Sequence, residues 1–164
     1  MNNPKILLTA FKNTSSEKLI YCFDSGFTKL ILENNKEYST HQLFDELNDH
    51  KYDYVISFGQ KPVIRDKVYI EKKAKSNLLT CDTSFDVSQL KSSIENSGLS
   101  VKISENAGTS YCNNIYYQGL RYINDIDIDI KMVFIHIPFE KNISDFNAYT
   151  SKIIQGIYYY INRS

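Results

Sequence analysis

Val101-Lys102-Ile103-Ser104, then Asn106-Ala107-Gly108-Thr109, then an apolar-periodic stretch from Tyr111 to Ile123, and finally Lys131-Met132-Val133-Phe134-Ile135-His136-Ile137-Pro138 read in order as strand, turn, helix and strand. The last run is the most strongly apolar in the chain, and Pro138 stops it, as a buried strand requires. A helix from about Asp86 leads into this unit. Val87, Leu90 and Ile94 recur at helical spacing there, and Gly98 stands where a C′ residue belongs.

The same alternation extends outward. Lys5 to Ala10 reads as a short buried strand, and Asn13-Thr14-Ser15-Ser16 offers N-cap oxygens to a helix through Leu19 to Phe23, ended by Gly26. Thr28 to Glu33 is a strand with Leu30 and Leu32 on one face. Ser39-Thr40 is expected to cap a helix whose stripe is Leu43, Phe44 and Leu47. Tyr54 to Phe58 is a buried strand closed by Gly59, and Val68 to Ile70 a weaker one. A last helix from about Ser144 to Ile161 carries Phe146, Ile153, Ile157 and Tyr160. Strands alternating with helices predict one domain over residues 1–164, a three-layer α/β/α sandwich around a mixed, largely parallel sheet. Asp125 to Ile130 alternates acidic and apolar residues and reads as a strand or edge segment. It lacks the Gly turn that a calcium loop needs.

Composition narrows the function. The 164 residues suit one domain with a real core, and a hydrophobic fraction of 42% is ordinary for a globular chain. Lys+Arg 19 balances Asp+Glu 19, so there is no basic footprint for nucleic acid or an anionic membrane. The apolar runs are too short to span a bilayer, and the opening Met-Asn-Asn-Pro-Lys has no small-residue cleavage site, so a cytosolic protein is expected. Cys22, Cys81 and Cys112 are an odd count without short spacing, which argues against a disulfide framework. His41, His50 and His136 are scattered, so no metal site is expected.

Two of these residues stand where chemistry is favoured. Cys112 lies where a turn becomes a helix. The unpaired N–H groups and dipole there favour a thiolate and can receive an oxyanion, while Ala107 and Gly108 let backbone approach a substrate. His136 sits near the end of the strongest strand, where open α/β sheets bind ligands, and could exchange a proton with a thiol. Packing roles, a small core hydrophobe and a satisfied strand-end histidine, remain the alternatives on these grounds.

Asn106-Ala107-Gly108-Thr109-Ser110-Tyr111-Cys112-Asn113 resembles the cysteine motif of the pyroglutamyl peptidase I (pyrrolidone-carboxylate peptidase) family of cysteine peptidases. Phe134-Ile135-His136-Ile137-Pro138-Phe139 resembles that family's histidine segment, and the interval between the two agrees. The likeness is continuous from Asp86 to Phe139. Asp53 to Gln60 resembles the strand ending in Gly-Gln beside the substrate pocket, and Thr9-Ala10-Phe11 the end of the opening strand. The resemblance implies Cys112 as nucleophile, His136 as general base and Glu71 as the carboxylate that orients it; failing Glu71, another carboxylate such as Asp82 or Asp86 is expected at the second ring nitrogen. It also implies Arg65 as an oxyanion helper and Phe11, Gln60 and Tyr111 at the substrate ring. The chain departs from the pattern in its short run after Phe11, in Pro62-Val63-Ile64 after the Gly-Gln strand, and in the short interval from Glu71 to Cys112. A shallow pocket is therefore expected.

The resulting expectation is a cysteine peptidase that hydrolyses the amide after an N-terminal pyroglutamyl or related acyl residue, with no cofactor. Its partner is a peptide with a blocked N-terminus or a small acyl amide, and a homo-oligomer is compatible. Cys112 is expected to alkylate faster than Cys22 and Cys81. The alternative is a non-catalytic binding or assembly module on the same scaffold.

Overall fold

Six consecutive apolar or small residues, Ile6–Phe11, form strand β1, and all six are buried. The absence of alternation has a plain cause: helices cover both faces of the sheet, so neither side of the strand meets water. The computed structural model describes residues 2–163. After β1 come α1 (Ser15–Tyr21), β2 (Phe27–Leu32), α2 (Lys36–Asp49), β3 (Tyr54–Lys61), β4 (Lys67–Glu71), β5 (Lys73–Ser76) and β6 (Leu79–Asp82). They are followed by α3 (Val87–Asn96), β7 (Ser100–Ser104), α4 (Tyr111–Asp125), β8 (Lys131–Pro138) and α5 (Phe146–Arg163).

Six strands form one sheet in the order β2-β1-β3-β8-β4-β7, parallel throughout except where β4 meets β8. On one face Ile56, Phe58, Val133 and Ile135 pack with α1, α3 and α5. On the other, Val55, Met132 and Phe134 pack with α2 and α4. This is the three-layer sandwich with a mixed, largely parallel sheet that the sequence predicts. The β5–β6 hairpin lies on the α4 side, where Ala74 and Cys81 join the second cluster.

Several local expectations need correction. Asn35, not Ser39-Thr40, caps α2: its side chain accepts from the Tyr38 N–H, while the Ser39 and Thr40 hydroxyls donate back to the Lys36 carbonyl from inside the helix. The first helix ends at Tyr21, before Gly26. Gly59 does not close β3, which continues to Lys61. Residues 126–130 form a loop rather than a strand. Asp127 adopts φ 51 there, and Ile130 plugs the core while Ile126 is exposed, which produces the alternation without a ladder. The helix expected from about Asp86 starts there as α3, with Asp86 as its N-cap, and Gly98 stands after it at φ 103 in the predicted C′ place.

Candidate active site

The residues of interest converge at the carboxyl ends of β1, β3 and β8, on the face covered by α4. Successive strand residues point to opposite faces. His136 therefore shares the face of Phe134 and Met132, and Gly59 the face of Val55 and Ser57. Gly59 is the register partner of His136 across the β3–β8 pair. A Cβ on Gly59 would stand 2.6 Å from Cys112 Sγ and 2.7 Å from the Phe134 ring. The sulfur thus occupies the space that a side chain at position 59 would fill, one strand from His136.

β4 supplies Glu71 from the other side of β8. Because β4 runs antiparallel to β8, Tyr69 pairs with His136 and Glu71 with Phe134. Glu71 and His136 then lie diagonally on one face, within reach of each other. Glu71 is fully buried, and its Oε1 lies 2.8 Å from His136 Nδ1. Burial alone would raise the Glu71 carboxyl. The hydrogen bond with His136 and the nearby Ser104 hydroxyl, with the charges of His136 and Lys61, outweigh it and hold the group below its ordinary value. An ionised carboxylate can only accept, so Nδ1 carries the hydrogen. In the neutral ring Nε2 is then the free acceptor. Asp82 and Asp86 do not take this place: Asp86 caps α3 and Asp82 closes the hairpin.

Cys112 is the second residue of α4. Asn114 N–H, bonded to the Ser110 carbonyl at 3.1 Å, makes the first helical bond, so the N–H groups of Tyr111, Cys112 and Asn113 precede it and are open to an anion. Gly108 sits at φ 88 in the turn before the helix, a conformation that only glycine adopts without strain. Here the structure departs from the expected thiolate. Burial, and next the Glu71 carboxylate, push the Cys112 thiol up to about 12, with Lys61 acting in the opposite sense.

A cavity of about 420 Å³ opens above the sulfur, a size that suits a small ligand. It is lined by Phe11, Gly59, Gln60, Tyr111, Cys112 and Phe139 among others. Phe11 and Tyr111 rings lie 5.7 Å apart. Gln60 Oε1 accepts from the Ser15 N–H and hydroxyl at 3.0 and 3.2 Å, which fixes the amide. Only Lys12 and Asn13, both exposed, separate Phe11 from the Thr14 cap of α1, so one wall is low. Arg65 is exposed in the turn between β3 and β4 and does not line the cavity; Lys61 is the cation that reaches Glu71. A larger groove of about 720 Å³ lies at the opposite ends of the strands, around Lys5, His50, Tyr52 and Asp129, and contains no cysteine. Among the described residues, no group of three His, Cys, Asp or Glu could hold a metal ion, and no helix is long and apolar enough to cross a membrane.

Sequence reasoning did not find two residues of this site. Gly59 was read as a strand end, although its lack of a side chain makes room for the sulfur. Lys61 was not singled out at all, since the strand was expected to close at Gly59.

The family model for pyroglutamyl peptidase matches residues 80–157. A pyrrolidone-carboxylate peptidase of Oceanobacillus iheyensis is 38% identical over 56 residues, which is 34% of this chain and 28% of that relative. The matched segment thus spans little more than a quarter of that protein. The fold is similar along almost the whole chain to pyroglutamyl peptidase I of Bacillus amyloliquefaciens, at TM-score 0.84 and 17% identity over 97% of both chains. It is also similar to pyrrolidone carboxyl peptidase from Thermococcus litoralis, at TM-score 0.82 and 17% identity over 97% of this chain and 94% of that one. The resemblance to the pyroglutamyl peptidase family read from the sequence is borne out.

Proposed function

We propose that this chain is a cysteine peptidase that hydrolyses the amide after an N-terminal pyroglutamyl residue, or a closely related small acyl amide. The observation that carries the reading is the buried Glu71–His136 pair at 2.8 Å, with the Cys112 sulfur seated on Gly59, the register partner of His136, beneath the cavity. In this reading the Cys112 thiol proton passes to His136 Nε2 as sulfur attacks the acyl carbonyl. Glu71 stabilises the imidazolium that forms. The oxyanion faces the open N–H groups at the start of α4. His136 returns the proton to the departing amine, leaving a thioester, and then draws a proton from the water that hydrolyses it. Phe11, Tyr111 and Gln60 hold the acyl ring, two by apolar contact and one by its fixed amide. The steps call on no metal or organic cofactor. The setting is one domain with three free cysteines, as suits the cytosol, and a homo-oligomer is compatible with it.

A second reading, a binding module on the same scaffold, is favoured by the packing of the Cys112 sulfur against Gly59 close to the Glu71 carboxylate. That setting pushes the thiol up and makes it a poor nucleophile by itself. Hydrolysis of a fluorogenic pyroglutamyl amide decides between them. Release of the fluorophore by the native chain and none by Cys112→Ser is the expected result. Equal rates for the two proteins, or none for either, would leave the module.

A further inference from the structure

β3 ends on Lys61, whose charge the mechanism above leaves unused. Its side chain is only 23% exposed. Nζ donates to the Asn106 carbonyl at 2.9 Å and lies 3.5 Å from Glu71 Oε1, the oxygen that also accepts from His136 Nδ1. The Tyr69 ring centroid is 5.5 Å away, and Lys102 from β7 approaches the same ring at 5.5 Å. Ordering a lysine costs rotamer freedom that its contacts must repay. Glu71 and Tyr69 on β4 and Asn106 in the turn before α4 offset that cost here, so this is not a loosely solvated surface charge.

The segments that Lys61 joins are those of the site. Glu71 orients His136. Asn106 opens the turn into α4, and it is itself held by its N–H to the Ser104 hydroxyl and by its side-chain oxygen accepting from the Gly108 N–H. We propose that Lys61 is a positioning residue of the Cys112 site, its ammonium group clamping the Glu71 oxygen that orients His136 to the turn that carries the Cys112 helix. The inference rests on the peptidase reading for its catalytic meaning, while the contacts stand without it.

The charged and titratable groups around the clamp are Glu71 from β4, His136 from β8, Cys112 from α4 and Lys102 from β7 beyond Tyr69. Glu105, in the neighbouring turn, pairs with Lys72 and Lys73 instead. Lys61 is thus the cation that offsets Glu71 at the sulfur, and its charge pulls the Cys112 thiol down against burial and the carboxylate.

The test follows iodoacetamide labelling of each cysteine by mass spectrometry between pH 7 and 9.5, in the native chain, Lys61→Met, Lys61→Gln and Lys61→Arg. Below its midpoint a thiol labels at a rate that rises tenfold per pH unit, so a changed midpoint displaces the whole line. Lys61→Met and Lys61→Gln should displace the Cys112 line to higher pH, slowing labelling about threefold at any one pH, equivalent to about half a unit. Cys22 and Cys81 should not move, and Lys61→Arg should restore most of the native rate. Faster labelling of Cys81 in Lys61→Met would show a loosened fold, and Lys61→Gln, which can still donate to Asn106, then gives the reading. An undisplaced Cys112 line in both neutral variants overturns the proposal, as does loss of folding in both, which would make Lys61 a stability residue. None of these outcomes depends on hydrolysis of a pyroglutamyl amide, so failure of the peptidase reading remains separately visible.

Discussion

Gly59→Ala is the most direct test of how the sulfur is held. The added methyl carbon would lie 2.6 Å from Cys112 Sγ and 2.7 Å from two carbons of the Phe134 ring. Comfortable contacts are about 3.5–4.0 Å, so roughly 1 Å must open on two sides. Phe134 cannot yield easily: it is fully buried, with rings of Tyr116 at 5.7 Å and His136 at 4.9 Å. The sulfur must therefore move. Overpacking of this kind costs about 1–3 kcal/mol, and each kcal/mol lowers Tm by about 2–4 °C in a chain of this size. A misplacement of about 1 Å at a reacting centre can cost about 100-fold in rate.

Gly156→Ala supplies the control. Its Cβ would stand 2.7 Å from the Ile94 Cα, a backbone atom where α3 packs on α5, far from the cavity. Both variants should lose stability in urea titration, but only Gly59→Ala should lose kcat on the fluorogenic amide, by about 100-fold after correction for the folded fraction. A Gly59→Ala protein with native kcat and native stability would refute the placement of the sulfur. Equal losses of kcat in both variants would refute the claim that Gly59 acts locally.

Glu71→Gln should lower kcat by about 10³- to 10⁴-fold with little change in KM, because an amide no longer fixes the tautomer of His136; steady-state kinetics reads this. The Glu71 carboxyl is held below its ordinary value, so its contribution to stability is present above about pH 4.5 and is lost as pH falls through the folded-state value. Urea midpoints from pH 6 to 3 should therefore fall less steeply in Glu71→Gln than in the native chain. Tyr116 donates its hydroxyl to the Glu71 carbonyl at 2.7 Å in a buried setting, so Tyr116→Phe should cost about 1–3 kcal/mol in denaturant titration. Asn35→Ala should cost about 1 kcal/mol as a lost cap, whereas Thr40→Ala, inside the helix, should stay within about 0.5 kcal/mol by the same measurement.

How far the sequence could be read depended on whether local chemistry and tertiary demand agreed. The start of α3 near Asp86, whose side chain caps it, and the Gly98 stop follow from residues acting on their own backbone, and both positions were legible, as was the start of α4 at Tyr111 after the Gly108 turn. The β5–β6 hairpin was not. Its strands are four residues long, and Lys73-Ala74-Lys75-Ser76 offers one buried residue, too little to show a period. Its anchor is distant: Asn113 from α4 accepts from the Lys75 N–H at 2.9 Å and donates to the Lys75 carbonyl at 2.7 Å. Residues 126–130 failed for the opposite reason, since their alternation is real but comes from a loop anchored by Ile130, with Ile128 partly buried beside it and Ile126 exposed. At the site, Cys112, His136 and Glu71 could be named from the resemblance. Gly59 and Lys61 could not, because each matters through atoms far away in sequence.

The state of the Cys112 thiol follows from comparing magnitudes. A helix N-terminus favours a nearby anion by about 0.3–1 kcal/mol, and this was the basis for expecting a thiolate. Burial and the Glu71 carboxylate act against it, and a rise from 9.0 to about 12 corresponds to about 4 kcal/mol, so they prevail. Burial beside the Glu71 carboxylate thus favours the neutral Cys112 thiol over its thiolate. In the proposed peptidase reading the proton would have to leave as sulfur attacks, which would put the weight of catalysis on His136 as base and on Glu71 as the group that stabilises its cation. This reverses the expected order of labelling. In the resting protein at pH 8, exposed Cys22 should react with iodoacetamide faster than Cys112. Faster labelling of Cys112 than of Cys22 would mean that the imidazole already holds the thiol proton at rest, and that the helix terminus and His136 together outweigh burial.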